Sequence, residues 1–272
     1  MTAETQEKNE QQDKQQQPTT KWYKQPAIWA VIISVISLIL SQLPPVTAWI
    51  PKEDIKVEIG NVIGLPNNLG ITGYQILVDL RNIGNRSLNI SNFGLEIVYP
   101  NSTLKYVEAD SILRTISDQT QTVSLAITSI KLNANDGWAE LIVFYPRTSP
   151  SEEEEINRFK LQMSESILSQ SQARPRNEYN NPNILTEADP GIVAEAIDFF
   201  NHRFSLEKGI YKATLTCNVD GRKVILKKFE FTLYDYHIQT IKSQTKDYKY
   251  GWGIYIPSDQ TKQVAASISN NN

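Results

Sequence analysis

The side chains that could perform acid–base or metal chemistry are few and widely spaced in this chain of 272 residues. Asp198 and His202 lie four residues apart and would share one face of a helix. A metal ion requires two or three further ligands of this kind, and no cluster of His or Cys supplies them. A surface ion pair, or a charge near a helix C-terminus, is the favoured interpretation of this pair. His237, in the sequence Asp235-Tyr-His, offers no stronger arrangement.

The remaining reactive or ligand-binding patterns all have a structural explanation. The sequence contains no motif for a nucleophilic serine turn, a phosphate loop or a dinucleotide site. Gly251-Trp-Gly253 is too short to cradle a phosphate and indicates a close approach of strands. Cys217 falls on the inward phase of a predicted strand, which indicates a buried, inert thiol. The run Glu152–Glu155 stands where a helix begins, so it complements the helix dipole rather than binding a cation.

The sequence therefore predicts no catalytic residue, no metal ligand and no cofactor. A net charge of −3 argues against non-specific nucleic-acid binding, which needs an excess of Lys and Arg. Aromatic residues and lysines crowd the C-terminal forty residues, and they predict mainly strand packing, with a binding surface for glycan or peptide as the alternative. These residues are Tyr234, Tyr236, Tyr248, Tyr250, Trp252, Tyr255, Lys242, Lys246 and Lys249.

The N-terminal fifty residues divide into a polar tail and an apolar segment. Residues 1–20 are rich in Gln and predict a disordered tail, because they offer too little apolar surface to bury. Residues 26–43 are nearly all apolar and predict one transmembrane helix that contacts the lipid bilayer, with its flanks within 21–50. A signal peptide cleaved after Ala48 is the alternative, since Val46 and Ala48 have the small size that cleavage requires.

The predicted location is the bacterial cytoplasmic membrane. Four lysines precede the apolar segment and two follow it closely, which favours a cytoplasmic N-terminus and a C-terminal domain outside. A lone cysteine cannot form an internal disulfide. This favours a bacterial envelope protein over a small eukaryotic secreted domain, which disulfide bonds would usually stabilise.

Residues 51–260 predict one β-rich domain, and residues 261–272 predict a flexible tail. Apolar residues alternate with polar ones in most of the segments, which indicates half-buried strands. Val219-Asp-Gly-Arg222 predicts a tight hairpin turn, and a change of phase near Lys227-Lys228 predicts a bulge. The predicted strands lie at 55–59, 74–80, 93–99, 123–127, 138–145, 211–219 and 223–233.

A two-helix insertion at about 150–205 interrupts the strands. Ser149-Pro150 followed by acidic residues predicts a helix start, and apolar residues from Ile156 to Ile167 recur at helical spacing. A second helix is predicted to begin at Asp189-Pro190, after a loop over 172–188.

Two short sequences resemble motifs of immunoglobulin-like domains. Residues 80–88, Leu-Arg-Asn-Ile-Gly-Asn-Arg-Ser-Leu, are similar to a strand-to-turn step of bacterial modules. Residues 206–213 resemble the tyrosine corner, with Tyr211 in the central position. The resemblance implies a mainly β fold: an immunoglobulin-like antiparallel β-sandwich with a two-helix insertion, preceded by one transmembrane helix. The layout is also similar to uncharacterised bacterial single-pass membrane proteins with such a domain, and this brings no known chemistry.

The leading functional hypothesis is a membrane-anchored, non-enzymatic binding module, with an envelope protein or a glycan as partner and no nucleic acid. One alternative is an enzyme, or an enzyme accessory, with a site around the 150–205 insertion. The other is a subunit of a larger membrane complex, held through Ser34, Ser37 and Ser41 on one helix face.

Overall fold

The structure is a computed structural model that describes residues 24–42, 52–116, 121–173, 185–256 and 263–269. It divides the chain into two units, Met1–Pro51 and Lys52–Asn272. The Gln-rich tail over 1–20, the cleavage sequence at 46–48 and most of the loop over 172–188 lie outside the described residues.

Among its described residues, 24–42, the first unit contains one α-helix, α1, over Pro26–Gln42. It begins at the proline predicted to start it, and none of its residues is buried. Its 17 residues span about 26 Å, which is less than the roughly 30 Å of a hydrocarbon core. Within the described residues, no helix combines the length and the apolar character needed to cross a membrane. The predicted transmembrane helix over 26–43 is therefore wrong, whereas the envelope location and the contact with lipid stay predictions.

The second unit is built from twelve strands and three α-helices among its described residues. The strands are β1 (Ile55–Leu65), β2 (Asn67–Asn68), β3 (Ile71–Thr72), β4 (Tyr74–Asn82), β5 (Leu88–Val98), β6 (Leu104–Ile116), β7 (Gln121–Ala126), β8 (Ile130–Leu132), β9 (Gly137–Tyr145), β10 (Gly209–Val219), β11 (Arg222–Leu233) and β12 (Val264–Ser269). The helices are α2 (Pro150–Gln172), α3 (Pro190–Arg203) and α4 (Asp235–Ser243), and a 3₁₀ helix follows at Gln244–Tyr250.

Eight of these strands form a closed antiparallel barrel. Their order around the ring is β6-β9-β4-β1-β12-β11-β10-β5, and β5 pairs again with β6 from Gly94↔Glu108 to Val98↔Leu104. The predicted immunoglobulin-like sandwich is wrong, because a sandwich has two sheets that face each other without shared hydrogen bonds, whereas here the ladder is continuous. The related resemblance to single-pass membrane proteins with a sandwich domain is wrong for the same reason.

The barrel wall divides at one place, which we call the split. Beyond the pair Gly94↔Glu108, β5 and β6 separate from each other. β5 continues along β8 through the pairs Leu88↔Leu132 to Ile90↔Ile130, and β6 continues along β7. The split is therefore a gap in the hydrogen-bonded wall, and the segment between β7 and β8 connects its two sides.

Alternating apolar residues fill the interior of the barrel, as their period of two predicts. Ile76, Val78 and Leu80 of β4 are fully buried, while the residues between them are partly or largely exposed. At one end Phe93 stacks on Trp138 with ring centroids 5.6 Å apart. These contacts make one continuous core in the second unit.

The tyrosine corner is present as a local contact even though the fold it suggested is wrong. Tyr211 Oη donates a hydrogen bond to the carbonyl oxygen of Glu207 at 2.8 Å and accepts one from its backbone N–H at 2.9 Å. The motif fixes how a chain enters a strand, and such an entry occurs in a barrel as well as in a sandwich.

The helical insertion lies between β9 and β10, as predicted. Ser149 caps α2, and the side chain of Glu152 returns a hydrogen bond to the Ser149 backbone N–H at 2.7 Å, which completes a capping box. α2 and α3 pack through Phe159 and Phe199, whose ring centroids lie 5.3 Å apart.

The C-terminal region differs most from its prediction. Residues expected mainly to pack in strands form α4 and the 3₁₀ helix. Val264–Ser269, expected within a flexible tail, forms β12, which pairs with β1 and β11 and thereby occupies a place in the ring. Short side chains such as Ala265, Ala266 and Ser267 weaken the alternation that reveals a strand.

Candidate functional site

A pocket of about 420 Å³ lies at the split, on the outer side of the barrel wall. We call it the wall pocket. Residues of β5, β6, β10 and β11 form it together with the segment between β7 and β8. Its lining residues are Ser91, Asn92, Phe93, Tyr106, Glu108, Ala109, Ile127, Thr128, Ser129, Arg147, Thr216, Asn218 and Lys223.

A β-bulge in β5 shapes the floor of the wall pocket. Thr216 pairs with Gly94 and Asn218 pairs with Ser91, so Asn92 and Phe93 together face the single residue Cys217. Asn92 has a φ of +51°, a left-handed conformation that Asn tolerates better than most residues. The extra residue lets Phe93 point into the core while Ser91 and Asn92 line the pocket.

Gly94 allows the end of the Tyr106 side chain to lie close against the wall. A Cβ atom on Gly94 would come within 2.7 Å of carbon atoms of the Tyr106 ring, far inside van der Waals contact. The Tyr106 side chain remains 49% exposed. It therefore presents an apolar ring and a phenolic hydroxyl at the edge of the pocket.

Several polar side chains in the wall pocket have unused hydrogen-bonding capacity. Within the described part of the chain, five Ser, Thr and Asn side chains of the pocket make no side-chain hydrogen bond, and neither does the Tyr106 hydroxyl; the five are Ser91, Asn92, Thr128, Ser129 and Asn218. Thr216 differs, because its Oγ1 donates to the carbonyl oxygen of Gly94 at 3.3 Å. The pocket thus offers both donors and acceptors from hydroxyl and amide groups.

The charged residues of the wall pocket are already paired. Arg147 forms an ion pair with Glu108. Lys223 pairs with Glu96 at 2.7 Å, and its Nζ lies 5.4 Å from the centroid of the Tyr106 ring. The hydrogen bond with Glu96 raises the pKa of Lys223 above its ordinary value. No residue that lines the wall pocket leaves a charge uncompensated within the described residues.

A second cavity of about 560 Å³ adjoins the first, between α2, β6 and the end of β9. We call it the helix cleft. Arg147 and Glu108 line both cavities, so their ion pair forms the boundary between them. Burial, and in second place the charge of Asp110, raise the pKa of Tyr145 in this cleft to about 12, which makes its phenol a poor base catalyst at neutral pH.

The structure does not combine Asp198 and His202 into a site. His202 Nδ1 lies 2.7 Å from the backbone carbonyl oxygen of Asp198, one helical turn earlier, and both residues are exposed. In the residues that the structure describes, no group of three His, Cys, Asp or Glu side chains could hold a metal ion.

Cys217 and His237 are buried side chains of the core. Cys217 is fully buried, and burial raises the pKa of its thiol to about 12. His237 is 4% exposed, and its Nδ1 accepts a hydrogen bond from the backbone N–H of Tyr234 at 3.1 Å. Burial lowers the pKa of this imidazole. Both groups are held in their uncharged forms at neutral pH.

The acidic run at the start of α2 serves the helix. Glu152 accepts a hydrogen bond from Arg203 and another from the backbone of Ser149. These two contacts, in this order, lower the pKa of the Glu152 carboxyl to about 2. The capping explains the position of this carboxylate without a cation.

The C-terminal aromatic residues separate into buried and exposed members. Tyr248 is only 3% exposed and packs against Phe200. Tyr234 and Tyr236 are 57% and 62% exposed, and their rings stack with centroids 5.9 Å apart. A shallow cavity of about 430 Å³ lies beside this pair, next to Lys208 and Asp235.

Sequence inspection did not reveal the wall pocket. Its polar residues come from β5, β6, β10, β11, the 127–129 segment and Arg147 after β9, at no regular spacing. The one local signal was the N-terminal end of β5, where Ser91-Asn92 interrupts the alternation of apolar residues before Phe93.

No protein-family model matches the chain, and no curated protein sequence matches it. Among solved structures, the chain is similar to a crystal structure described as the putative ApaA protein from Bordetella pertussis. The alignment covers 65% of this chain and 92% of that one, at 8% sequence identity and a TM-score of 0.28.

Proposed function

We propose that the barrel is a non-enzymatic binding module whose ligand occupies the wall pocket. The observation that carries this proposal is the group of five polar side chains with unused hydrogen-bonding capacity around a cavity of about 420 Å³. Ligand sites in proteins commonly have volumes of about 300–1,000 Å³ and lie at the mouths or irregularities of a rigid scaffold.

The pairing of charges supports binding rather than catalysis. Glu108 is the carboxylate in the pocket that could act as a base, and Arg147 engages it. A general base must have a free carboxylate oxygen that can accept a proton from the substrate, and the ion pair with Arg147 occupies this carboxylate. The hydroxyl groups of Ser91, Thr128 and Ser129 have no neighbouring imidazole in the pocket that could activate them.

A ligand-observed NMR screen of small fragments against the full chain tests the proposal. Ser129→Trp places a large side chain in the wall pocket, and Ser124→Trp makes the same change at an exposed position of β7 outside it. We expect fragment signals that are lost with Ser129→Trp and kept with Ser124→Trp. Identical fragment binding by the two variants would exclude the wall pocket as the site.

A second candidate function is protein recognition through the stacked pair Tyr234 and Tyr236. Exposed tyrosines are enriched at protein interfaces, and this pair is the most exposed part of the predicted C-terminal aromatic surface. A photo-crosslinking residue at position 236 should give a discrete protein adduct in cells, whereas the same residue at the equally exposed Ile225 should not. Equal adducts at both positions would reject this surface.

A further inference from the structure

We infer that the ligand of the wall pocket is an uncharged, polyhydroxylated molecule of the saccharide class. This inference rests on the proposed function, because it assumes that the wall pocket binds a ligand, and it adds the chemistry of that ligand. It follows from the charge, the hydrogen-bonding groups and the apolar surface of the pocket.

The charge of the pocket favours an uncharged ligand. Arg147 is paired with Glu108, and Lys223 is paired with Glu96 at 2.7 Å. A carboxylate or ammonium group that enters the pocket would lose water without gaining a free partner of opposite charge, and that exchange is unfavourable. To gain such a partner, the group would have to compete with Glu108 for Arg147, with Glu96 for Lys223, or with a cation for one of these carboxylates.

The hydrogen-bonding groups favour hydroxyl groups on the ligand. Ser91, Thr128 and Ser129 each present a hydroxyl that both donates and accepts. Asn92 and Asn218 each present an amide with donors on one side and an acceptor on the other. A sugar hydroxyl likewise donates and accepts, so it can satisfy either kind of group. An apolar ligand of the same size would leave all five groups unpaired, at a cost for each.

The apolar part of the pocket suits the C–H face of a sugar ring. The Tyr106 ring lies close to Gly94 and remains half exposed, and Ile127, which is partly buried, also lines the pocket. A pyranose ring combines an apolar face of C–H groups with a rim of hydroxyls. The cavity volume of about 420 Å³ accommodates one such unit with the water molecules around it.

The rigid floor of the wall pocket favours selective binding of particular ligands over non-specific binding. Thr216 is buried and bonded to Gly94, and the β5 bulge fixes Ser91 opposite Asn218. Polar groups on paired strands lose little freedom when they bind a ligand, so they can discriminate between ligands by geometry.

The test uses trisaccharides of matched size with the full chain. The uncharged probes are cellotriose, maltotriose and triacetylchitotriose. The charged probes are trigalacturonate, which is anionic, and the deacetylated glucosamine trimer, which is cationic. We expect saturable binding of at least one uncharged probe in calorimetry and saturation-transfer NMR, and at least about tenfold weaker binding of both charged probes.

Two asparagine variants locate the binding. Asn218→Ala removes an amide from the wall pocket, and we expect the affinity for the best probe to fall about threefold to tenfold, as for the loss of one or two neutral hydrogen bonds. Asn157→Ala removes an exposed amide from the helix cleft, and the affinity should not change. Ser129→Ala provides a second pocket variant if Asn218→Ala impairs folding.

Three results would overturn the inference. These are the absence of binding by every uncharged probe up to its solubility limit, equal or tighter binding of a charged probe, or equal weakening by Asn218→Ala and Asn157→Ala. Binding of a charged fragment that is lost with Ser129→Trp would refute the saccharide class. It would still support the proposal that the wall pocket binds a ligand. If Ser129→Trp affects no ligand at all, the proposed function itself fails.

Discussion

Replacement of Asn82 by alanine should be among the most damaging single changes in the second unit. Asn82 is fully buried at the end of β4. Its Nδ2 donates to the carbonyl oxygens of Arg86, Leu132 and Asn133 at 2.7, 3.2 and 3.0 Å, and its Oδ1 accepts from the Gly84 N–H at 3.0 Å. One side chain thus satisfies four backbone groups of the β4–β5 turn and of the end of β8.

The expected loss of stability follows from these four contacts. A neutral hydrogen bond contributes about 1 kcal/mol net, and a buried backbone group that loses its partner costs about 1–3 kcal/mol. Two of the Nδ2 contacts reach neighbouring carbonyls and share one donor, so we expect Asn82→Ala to lower the free energy of unfolding by about 3–4 kcal/mol in urea titration.

Two further variants separate this explanation from a simple loss of packing. Asn82→Asp keeps the acceptor for Gly84 but replaces the donors with an oxygen that repels the three carbonyls, so it should destabilise at least as much as alanine. Asn157→Ala, an exposed amide on α2, should change the free energy of unfolding by less than about 0.5 kcal/mol. A loss below about 1 kcal/mol for Asn82→Ala, or a stable Asn82→Asp variant, would refute the reasoning.

Three other predictions concern single side chains. Burial lowers the pKa of His237 from its ordinary value of 6.5, so its contribution to stability is complete above pH 6.5 and is lost as the pH falls through the lowered pKa. Between pH 7.5 and 5 the free energy of unfolding should therefore fall more steeply for the wild type than for His237→Gln, and equal slopes would contradict this assignment. Cys217 is fully buried, and burial raises the pKa of its thiol to about 12. It should therefore resist alkylation by iodoacetamide at pH 8 until the chain is unfolded in urea. Rapid labelling of the folded chain would contradict the burial. Gly94→Ala should force Tyr106 away from the wall and weaken ligand binding in the wall pocket several-fold, as measured by calorimetry. The free energy of unfolding should change by only about 1 kcal/mol. Unchanged affinity would mean that Tyr106 takes no part in binding.

Local features of the fold were predictable because short-range interactions decide them. The hairpin at Val219–Arg222 forms as predicted, with positive φ angles of 48° at Asp220 and 80° at Gly221. The bulge predicted near Lys227-Lys228 is present, since Leu215 pairs with Lys227 and Thr216 pairs with Ile225. Ser149 and Asp189 cap the two helices of the insertion, where cap residues followed by proline had predicted helix starts.

The candidate site was not predictable, because its residues have no spacing pattern of their own. Ser91 and Asn218 are neighbours only through the pairing of β5 with β10, and Thr128 and Ser129 reach them only because the wall divides at the split. The candidates that the sequence suggested were Asp198, His202 and the C-terminal aromatic residues. In the structure most of these side chains make contacts within a helix or in the core.

The pattern of residue types along the chain is enough to show that the second unit is rich in strands, where its hairpin turns, and where two helices interrupt it. The closure of the strands into a ring depends on contacts that this pattern does not contain. The ring depends on β6 and β12, the two strands of the barrel that the alternation did not reveal, since a bulge between Ala109 and Ser111 shifts the phase of β6 and short side chains obscure β12. Without them the remaining strands of the barrel fall into two groups, β9-β4-β1 and β11-β10-β5, which is what a sandwich would contain. Alternation reports which face of a strand is buried, and it cannot report which strand lies beside it, because pairing is set by contacts between residues far apart in the chain.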